Sequence, residues 1–369
     1  MDSLSHLIGK RLRLARDQSS RSQEEVAAAL GLKDRQSISA IEVGERKITS
    51  NELIKAGNFF GKSLEFFTDP YFVAESNAFS YRAKTLDGAL LKEFAERAER
   101  LISTQRRFRS LLGEQPSPIH PQLRNVTKST SFSVAALNGE QTAAGWELGP
   151  IPAQKLRDVA EDKLGISILF VDGNTSISGA ACRLDDGDVI LVNRSEPEAR
   201  RNFNIGHEIF HLLTWEAMPP APLDYESENG SPKKSRSEQL ADSYSGGLLM
   251  PSSIVLKRWE RGNVPLAEWL RHHANELLVS PLALYWRLVN LGLVSKKEQP
   301  FPAGVSRVKR SRSGAQTPRL YNRAFVCSLQ QVLHRGHLSV LRATEVLDCS
   351  IQQLVQLFES YELEVPFGY

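Results

Sequence analysis

Residues 203–213 read FNIGHEIFHLL, and this stretch decides the fold of the middle of the chain. Histidines at positions i and i+4 lie on one face of a helix, so His207 and His211 are expected to reach a single metal ion. Glu208 sits beside that face, where it can hold a metal-bound water. The pattern is typical of zinc metallopeptidases. The alternative is an amphipathic helix whose two histidines are merely exposed.

A catalytic zinc needs three protein ligands, and the third is sought on a second helix. Glu238 is the best candidate, because it opens the run EQLADSYSGGLLMP, whose apolar and small residues form one packing face. Pro251 is expected to end this helix. Asp242, one turn further on, is the competing ligand; a carboxylate there is alternatively suited to orienting a histidine. Without a metal, both acids would belong to a solvated helix start.

These two runs, with the preceding VILVN of residues 189–193, resemble the ImmA/IrrE family of zinc metallopeptidases over roughly residues 150–295. The resemblance implies that His207, His211 and Glu238 bind zinc (Zn2+) and that Glu208 is the general base. It also implies a protein substrate, in the family commonly a helix-turn-helix repressor. The sequence departs from the family pattern at Asn204, Ser245 and Gly246, none of which removes a group that the chemistry needs.

The residue types themselves predict a mechanism. Zinc lowers the pKa of its water, Glu208 takes the proton as a peptide carbonyl is attacked, and the same carboxyl returns it to the leaving amine. The apolar segment 189–193 is predicted to be a sheet edge that pairs with extended substrate. Tyr244, Tyr285 and Arg287 are candidate oxyanion donors, although such residues more often serve packing or lie at the surface.

A second pattern occupies the amino-terminal end. Residues 4–67 predict five short helices, in which Gly31 ends the second helix and permits a tight turn before the third. The layout resembles the Xre/Cro-type helix-turn-helix, whose second helix enters the major groove of DNA. The predicted DNA-contacting residues are Arg35, Gln36, Ser37, Ser39, Arg46 and Lys47. Basic and acidic residues nearly balance over residues 1–72, so a bundle that dimerises or holds a protein partner is the alternative.

The predicted fold is mostly α with a small β-sheet. It comprises a helix-turn-helix bundle at 1–72, a helical connector and linker at 73–150, an α+β zincin-like metallopeptidase domain at 151–297, a basic linker at 298–323 and a C-terminal helical module at 324–369. In that last module, residues 336–354 have a second helix-turn-helix rhythm, for which a second DNA reader and a partner-docking or dimerising module are equal alternatives. His272 and His273 are interpreted as surface residues. Three widely spaced cysteines, with no signal peptide and no long apolar span, predict a cytoplasmic protein with no membrane association, whereas a net charge of +3 is too small to indicate a partner by itself.

The sequence therefore predicts a regulator that binds a double-stranded DNA operator, and a homodimer would be in keeping with a palindromic site. Its zinc endopeptidase activity would act on a repressor or a toxin–antitoxin partner, in a stress response or a mobile element. Two alternatives stay open. One is a transcription factor in which the zinc domain senses a signal or binds a partner without proteolysis; the other is an antitoxin-like repressor of its own operon.

Overall fold

A computed structural model describes residues 4–72, 79–83, 88–114, 120, 122–123, 125–173, 177–184, 186–220, 223–225, 235–260, 262–297 and 318–368. The chain divides into two compact units, Met1–Ser76 with Glu99–Leu112, and Asn77–Ala98 with Gly113–Tyr369. Among the described residues no helix is long and apolar enough to cross a bilayer.

The first unit begins with the five short helices that the sequence predicts: α1 (Leu4–Gln18), α2 (Gln23–Leu30), α3 (Arg35–Glu42), α4 (Ser50–Phe60) and α5 (Leu64–Thr68). Local sequence fixes their ends. Ser22 forms a capping box with Glu25 at the start of α2, and Gly31 ends that helix in the left-handed conformation at φ 78°. Asp34 then caps α3 by accepting the main-chain N–H of Ser37.

A buried polar network ties the first three of these helices together. Glu42 at the end of α3 accepts hydrogen bonds from Arg16 Nε of α1 at 2.6 Å and from Gln23 Nε2 of α2 at 2.9 Å. The Glu42 side chain is 5 % exposed and that of Arg16 is 15 % exposed. Because both charges are largely withdrawn from water, this pair fixes how α3 sits on α1 and α2.

The second unit contains a five-stranded sheet, counted over the described residues, with the strand order β2-β4-β3-β1-β5. Its strands are β1 (Phe79–Ala83), β2 (Ser167–Val171), β3 (Ile177–Cys182), β4 (Val189–Asn193) and β5 (Leu223–Tyr225). Strands β2 and β4 are parallel, as are β1 and β5, whereas β3 is antiparallel to both β4 and β1.

This strand order corrects two sequence-based predictions. Strand β4 is paired with β2 on one side and β3 on the other, so the prediction that residues 189–193 form a substrate-binding edge is wrong. Apolar, β-branched composition marks a buried strand but carries no information on whether it has one neighbour or two. The sequence predicts a helical connector before residue 151, yet residues 79–83 form β1 within the sheet.

Helices lie between and after these strands along the chain. They are α6 (Gly88–Leu111), which continues into the first unit from Glu99, then α7 (Phe132–Gly145), α8 (Pro152–Leu164), α9 (Glu198–Leu213), α10 (Arg236–Leu249), α11 (Ser252–Arg258), α12 (Leu266–Glu276) and α13 (Pro281–Asn290). As predicted, α10 stops just before Pro251. Helix α7 packs on α10 so closely that a Cβ at Gly247 would lie 2.0 Å from the Ala136 carbonyl oxygen.

The chain ends in three helices, α14 (Arg323–His334), α15 (Val340–Leu347) and α16 (Ile351–Ser360). Asn322, which caps α14, donates from Nδ2 to Glu161 Oε1 of α8 at 2.8 Å. The Phe358 and Leu354 side chains of α16 are fully buried, as is Phe325 of α14. The predicted basic linker lies largely outside the described residues, since 298–317 are not among them.

Candidate metal centre

Helix α9 carries the histidine motif in its most buried part. Every residue from Asn204 to Leu213 is buried, and the His207 and His211 side chains are 1 % and 2 % exposed. Their ring centroids are 4.8 Å apart, as the i, i+4 spacing requires. The alternative of two exposed histidines on an amphipathic helix is therefore wrong. Glu208, between them in sequence, is also buried.

Helix α10 brings Glu238 to the same point. Ser235 caps this helix and accepts the N–H of Glu238, which places the carboxylate in the first turn. Glu238 Oε1 lies 2.7 Å from His211 Nε2, and Oε2 lies 2.9 Å from His207 Nε2. Burial raises the pKa of this carboxyl, but the charges and hydrogen bonds of the two imidazoles lower it by more, so the net pKa lies well below its ordinary range.

The donor set fits a zinc ion. Ligands about 2.0–2.1 Å from a tetrahedral zinc are about 3.3 Å from one another. The two Nε2 atoms are 3.1 Å apart, and the carboxylate contacts are only a few tenths of an ångström shorter than that. Two imidazole nitrogens and one carboxylate, buried and converging on one point, match the donors of catalytic zinc sites.

The sequence offers Glu238 and Asp242 as competing third ligands. Asp242 lies outside the group of converging donor atoms. Its Oδ1 lies 3.0 Å from His207 Nδ1, one full helical turn beyond Glu238. An acceptor at Nδ1 holds a ring proton there, so Nε2, which faces Glu238 and His211, is the His207 nitrogen that would bind a metal ion. His211 Nδ1 is buried and makes no hydrogen bond within the described part of the chain. Among the described residues, therefore, a carboxylate contacts Nδ1 of His207 but not Nδ1 of His211.

Ser245, one of the departures from the family pattern, connects helices α9 and α10. Its hydroxyl is buried and donates to the Phe203 carbonyl of α9 at 2.9 Å, so it ties α10 to the helix with the histidines. A Cβ at Gly206 would lie 2.7 Å from the same hydroxyl oxygen. This role of Ser245 is not predictable from sequence, because the contact joins residues 42 positions apart on two helices and leaves no local signal.

The three oxyanion candidates are engaged elsewhere. The Tyr244 hydroxyl is buried and donates to Thr142 Oγ1 at 3.0 Å, and burial raises its pKa. The Tyr285 hydroxyl donates to the Lys296 carbonyl at 3.3 Å. Arg287 donates to the Met250 carbonyl at 2.9 Å and pairs with Glu140. These contacts brace helices against one another, so packing is the role that the structure displays for all three.

His272 and His273 form a second group of potential metal donors with Glu276 on α12. The His272 side chain is 67 % exposed and that of Glu276 is 44 % exposed. The exposed position of His272 agrees with the sequence interpretation, whereas the His273 side chain is 18 % exposed and packs on Trp269, with ring centroids 4.4 Å apart.

The predicted DNA-contacting residues fall into two groups. Gln36 and Lys47 are exposed, and Arg35 is exposed with Glu24 at 3.6 Å. The others are already held within the protein: the Ser37 hydroxyl donates to Asp34, Ser39 is half-buried, and Arg46 pairs with Glu52 at 2.7 Å. A DNA phosphate would therefore compete with Glu52 for Arg46.

Two protein-family models match the chain, one in the amino-terminal helices and one in the region of α9 and α10. A family model for the helix-turn-helix matches residues 12–67, from the middle of α1 to the last turn of α5. A second model, for the IrrE N-terminal-like domain of a peptidase family, matches residues 161–288, which include α9 and α10. No curated protein matches the chain. The chain thus joins a region that matches a helix-turn-helix model to a region that matches the IrrE N-terminal-like domain of a peptidase family.

Proposed function

We propose that this protein is a DNA-binding regulator whose second domain is a zinc endopeptidase that cleaves a partner protein, with a helix-turn-helix repressor as the expected substrate class. The observation that carries the proposal is the buried convergence of His207, His211 and Glu238, with Asp242 behind His207. In this proposal the first three residues hold zinc. When bound, zinc supplies a Lewis acid that polarises a peptide carbonyl and lowers the pKa of water.

Glu208 is assigned the proton transfers. It follows His207 directly on α9 and is 2 % exposed, so its carboxylate works where bulk water does not screen it. It accepts a proton from the attacking water and delivers it to the amine that leaves. Asp242 keeps the His207 ring in the tautomer and orientation that the centre needs.

The choice of a repressor as substrate rests on the resemblance to the ImmA/IrrE family and on the helix-turn-helix match in the same chain. A DNA-binding domain on the peptidase would raise its concentration near other proteins that bind the same stretch of DNA. The peptide would not pair with β4, because that strand has a neighbour on each side.

The test compares cells that carry the wild-type chain with cells that carry Glu208→Gln. Glutamine retains the shape of the side chain but cannot accept the proton, so the variant is expected to keep zinc and fold while losing cleavage. New protein amino termini are then catalogued by labelling and mass spectrometry. We expect at least one neo-terminus, within a DNA-binding protein, that appears only with the wild type.

Two further measurements complete the design. The purified candidate substrate is incubated with each form, and the zinc content of both forms is measured in the same samples. A fragment made by wild type alone, at equal zinc content, establishes the peptidase. Identical termini in both strains, with zinc bound stoichiometrically, would refute the proposal and leave a regulator whose zinc domain does not cut.

A further inference from the structure

The C-terminal helices α15 and α16 repeat the local structure of the α2–α3 pair, to which the helix-turn-helix family model is matched. Both first helices have eight residues, and each is followed at once by a left-handed residue, Gly31 at φ 78° and Asp348 at φ 50°. In both turns the next main-chain N–H reaches five residues back. Leu32 donates to the Ala27 carbonyl at 2.9 Å, and Cys349 donates to the Thr344 carbonyl at 3.0 Å.

The second helix of each pair begins in the same way. Asp34 caps α3 and Ser350 caps α16, each by accepting the N–H three residues on. Four residues after each cap stands a fully buried aliphatic side chain, Ile38 in one and Leu354 in the other, both 0 % exposed. The turn between α15 and α16 is one residue shorter, which makes it the three-residue turn of the usual motif.

The first six residues of α16 present one isoleucine and three glutamines to solvent. Ile351, Gln352, Gln353 and Gln356 are all exposed, and α16 has no carboxylate before Glu359. The module is anchored at the other end of α16, where Tyr361 bonds to Tyr321 next to the Asn322–Glu161 contact. A ten-residue helix is about 15 Å long, so Ile351 and Gln352 at its start lie well away from the anchored end.

We propose that α15–α16 is a second helix-turn-helix that binds duplex DNA, with α16 in the major groove. Gln352 and Gln356 lie one helical turn apart, and glutamine suits bidentate contact with adenine. Ile351 beside them suits a thymine methyl group. Gln353 is not a reader, because its side-chain oxygen accepts the Ser350 N–H. Arg335 and His337, exposed between α14 and α15, meet the phosphate backbone.

Duplex DNA is favoured over a protein partner for two reasons. A similar left-handed turn and side-chain cap occur within residues 12–67 of this chain, which match the helix-turn-helix family model. The exposed surface of α16 is dominated by amides, whereas the core of a protein interface is enriched in aromatic residues and methionine.

The experiment selects binding sequences from a random pool of short duplex DNA with the full-length protein. Four forms are compared: wild type, Arg35→Ala/Gln36→Ala, Gln352→Ala/Gln356→Ala, and the control Gln331→Ala, which removes an exposed glutamine of α14 in the same module. Wild type and control are expected to enrich two sequence elements. Each double variant should lose one element and keep the other, with affinity for the lost element falling about tenfold or more.

The inference is overturned if the Gln352→Ala/Gln356→Ala form enriches the same sequences as wild type, or if no sequence survives in the Arg35→Ala/Gln36→Ala form. Enrichment of nothing by wild type would overturn it as well. Because every substituted side chain is exposed, the variants should unfold at the temperature of wild type, which circular dichroism checks. Zinc plays no part in this assay, so its outcome is separate from that of the proposed peptidase.

Discussion

Two neighbouring glycines on α10 should respond to alanine in opposite ways: Gly246→Ala should stabilise the protein and Gly247→Ala should destabilise it. A Cβ at Gly247 would lie 2.0 Å from the Ala136 carbonyl oxygen of α7, whereas a Cβ at Gly246 would meet no atom within 4 Å. Ordinary van der Waals contact begins at 3.4 Å, so Gly247→Ala requires α7 and α10 to separate locally by about 1.4 Å. The obstacle is main chain, which cannot turn aside as a flexible side chain can.

The magnitudes follow from the two effects that alanine brings. In a helix interior, alanine is more favourable than glycine by about 0.5–1 kcal/mol, and Gly246→Ala should gain that amount. Overpacking typically costs about 1–3 kcal/mol. We expect a cost at the upper end of this range for Gly247→Ala, because the two helices are also in main-chain contact at a glycine of α7. A Cβ at Gly139 would lie 2.2 Å from the Tyr244 carbonyl oxygen. The two variants should therefore differ by about 3 kcal/mol.

Urea unfolding followed by tryptophan fluorescence measures this difference directly. All five tryptophans lie between residues 146 and 286, so the signal reports on the domain that contains α7 and α10 and not on the helix-turn-helix. A second measurement is zinc affinity, since a displaced α10 would carry Glu238 away from the histidines. Equal stability of the two variants would refute the reasoning, because it would mean that the helices do not pack at main-chain contact.

Three further predictions concern charged groups. Asp242→Ala should weaken zinc binding about 10- to 100-fold in a chelator competition by releasing His207, and an unchanged affinity would contradict the assigned contact. Glu42→Ala leaves Arg16 buried without its carboxylate, so hydrogen exchange of α1–α3 in the full chain should accelerate, whereas an exposed pair lost elsewhere should have little effect. Burial raises the pKa of Glu161, so the folded state holds that proton more tightly; stability that is present below the unfolded pKa is lost as pH rises through the raised one. Glu161→Gln should remove the contribution of this carboxyl to the pH dependence of stability, which urea unfolding at several pH values measures. A difference in urea midpoint between variant and wild type that is the same at every pH would contradict this prediction.

The convergence of His207, His211 and Glu238 could be predicted because most of the information for it is local. The spacing of His207 and His211 fixes their common face, and the run from Glu238 to Pro251 supplies its own cap signal and stop. The competition between Glu238 and Asp242 is not local, because it depends on the relative rotation of two helices. The structure settles their geometry: Glu238 lies at both Nε2 atoms and Asp242 lies behind His207.

The sheet is harder to predict for a physical reason. Strand β1 pairs with β3 across nearly a hundred residues, and such pairing is decided by side-chain packing at a distance rather than by the composition of five residues. The same holds for β4, whose sequence reads equally well as an edge and as an interior strand. Both errors concern neighbours in space, whereas the helices that begin and end with their own capping residues are predictable from sequence.

Strand β2, at one edge of the described sheet, is covered in part by the Glu161 side chain. Glu161 Oε1 accepts the main-chain N–H of Ile168 on β2 at 2.9 Å, and the same oxygen accepts from Asn322, which caps α14. One carboxylate thereby satisfies an edge-strand donor and anchors the C-terminal module. An unpaired edge would invite pairing with another chain, so the cost of burying Glu161 is offset by covering this strand. Its raised pKa follows from that burial, and the β2 edge is consequently a poor place for an extended peptide to bind.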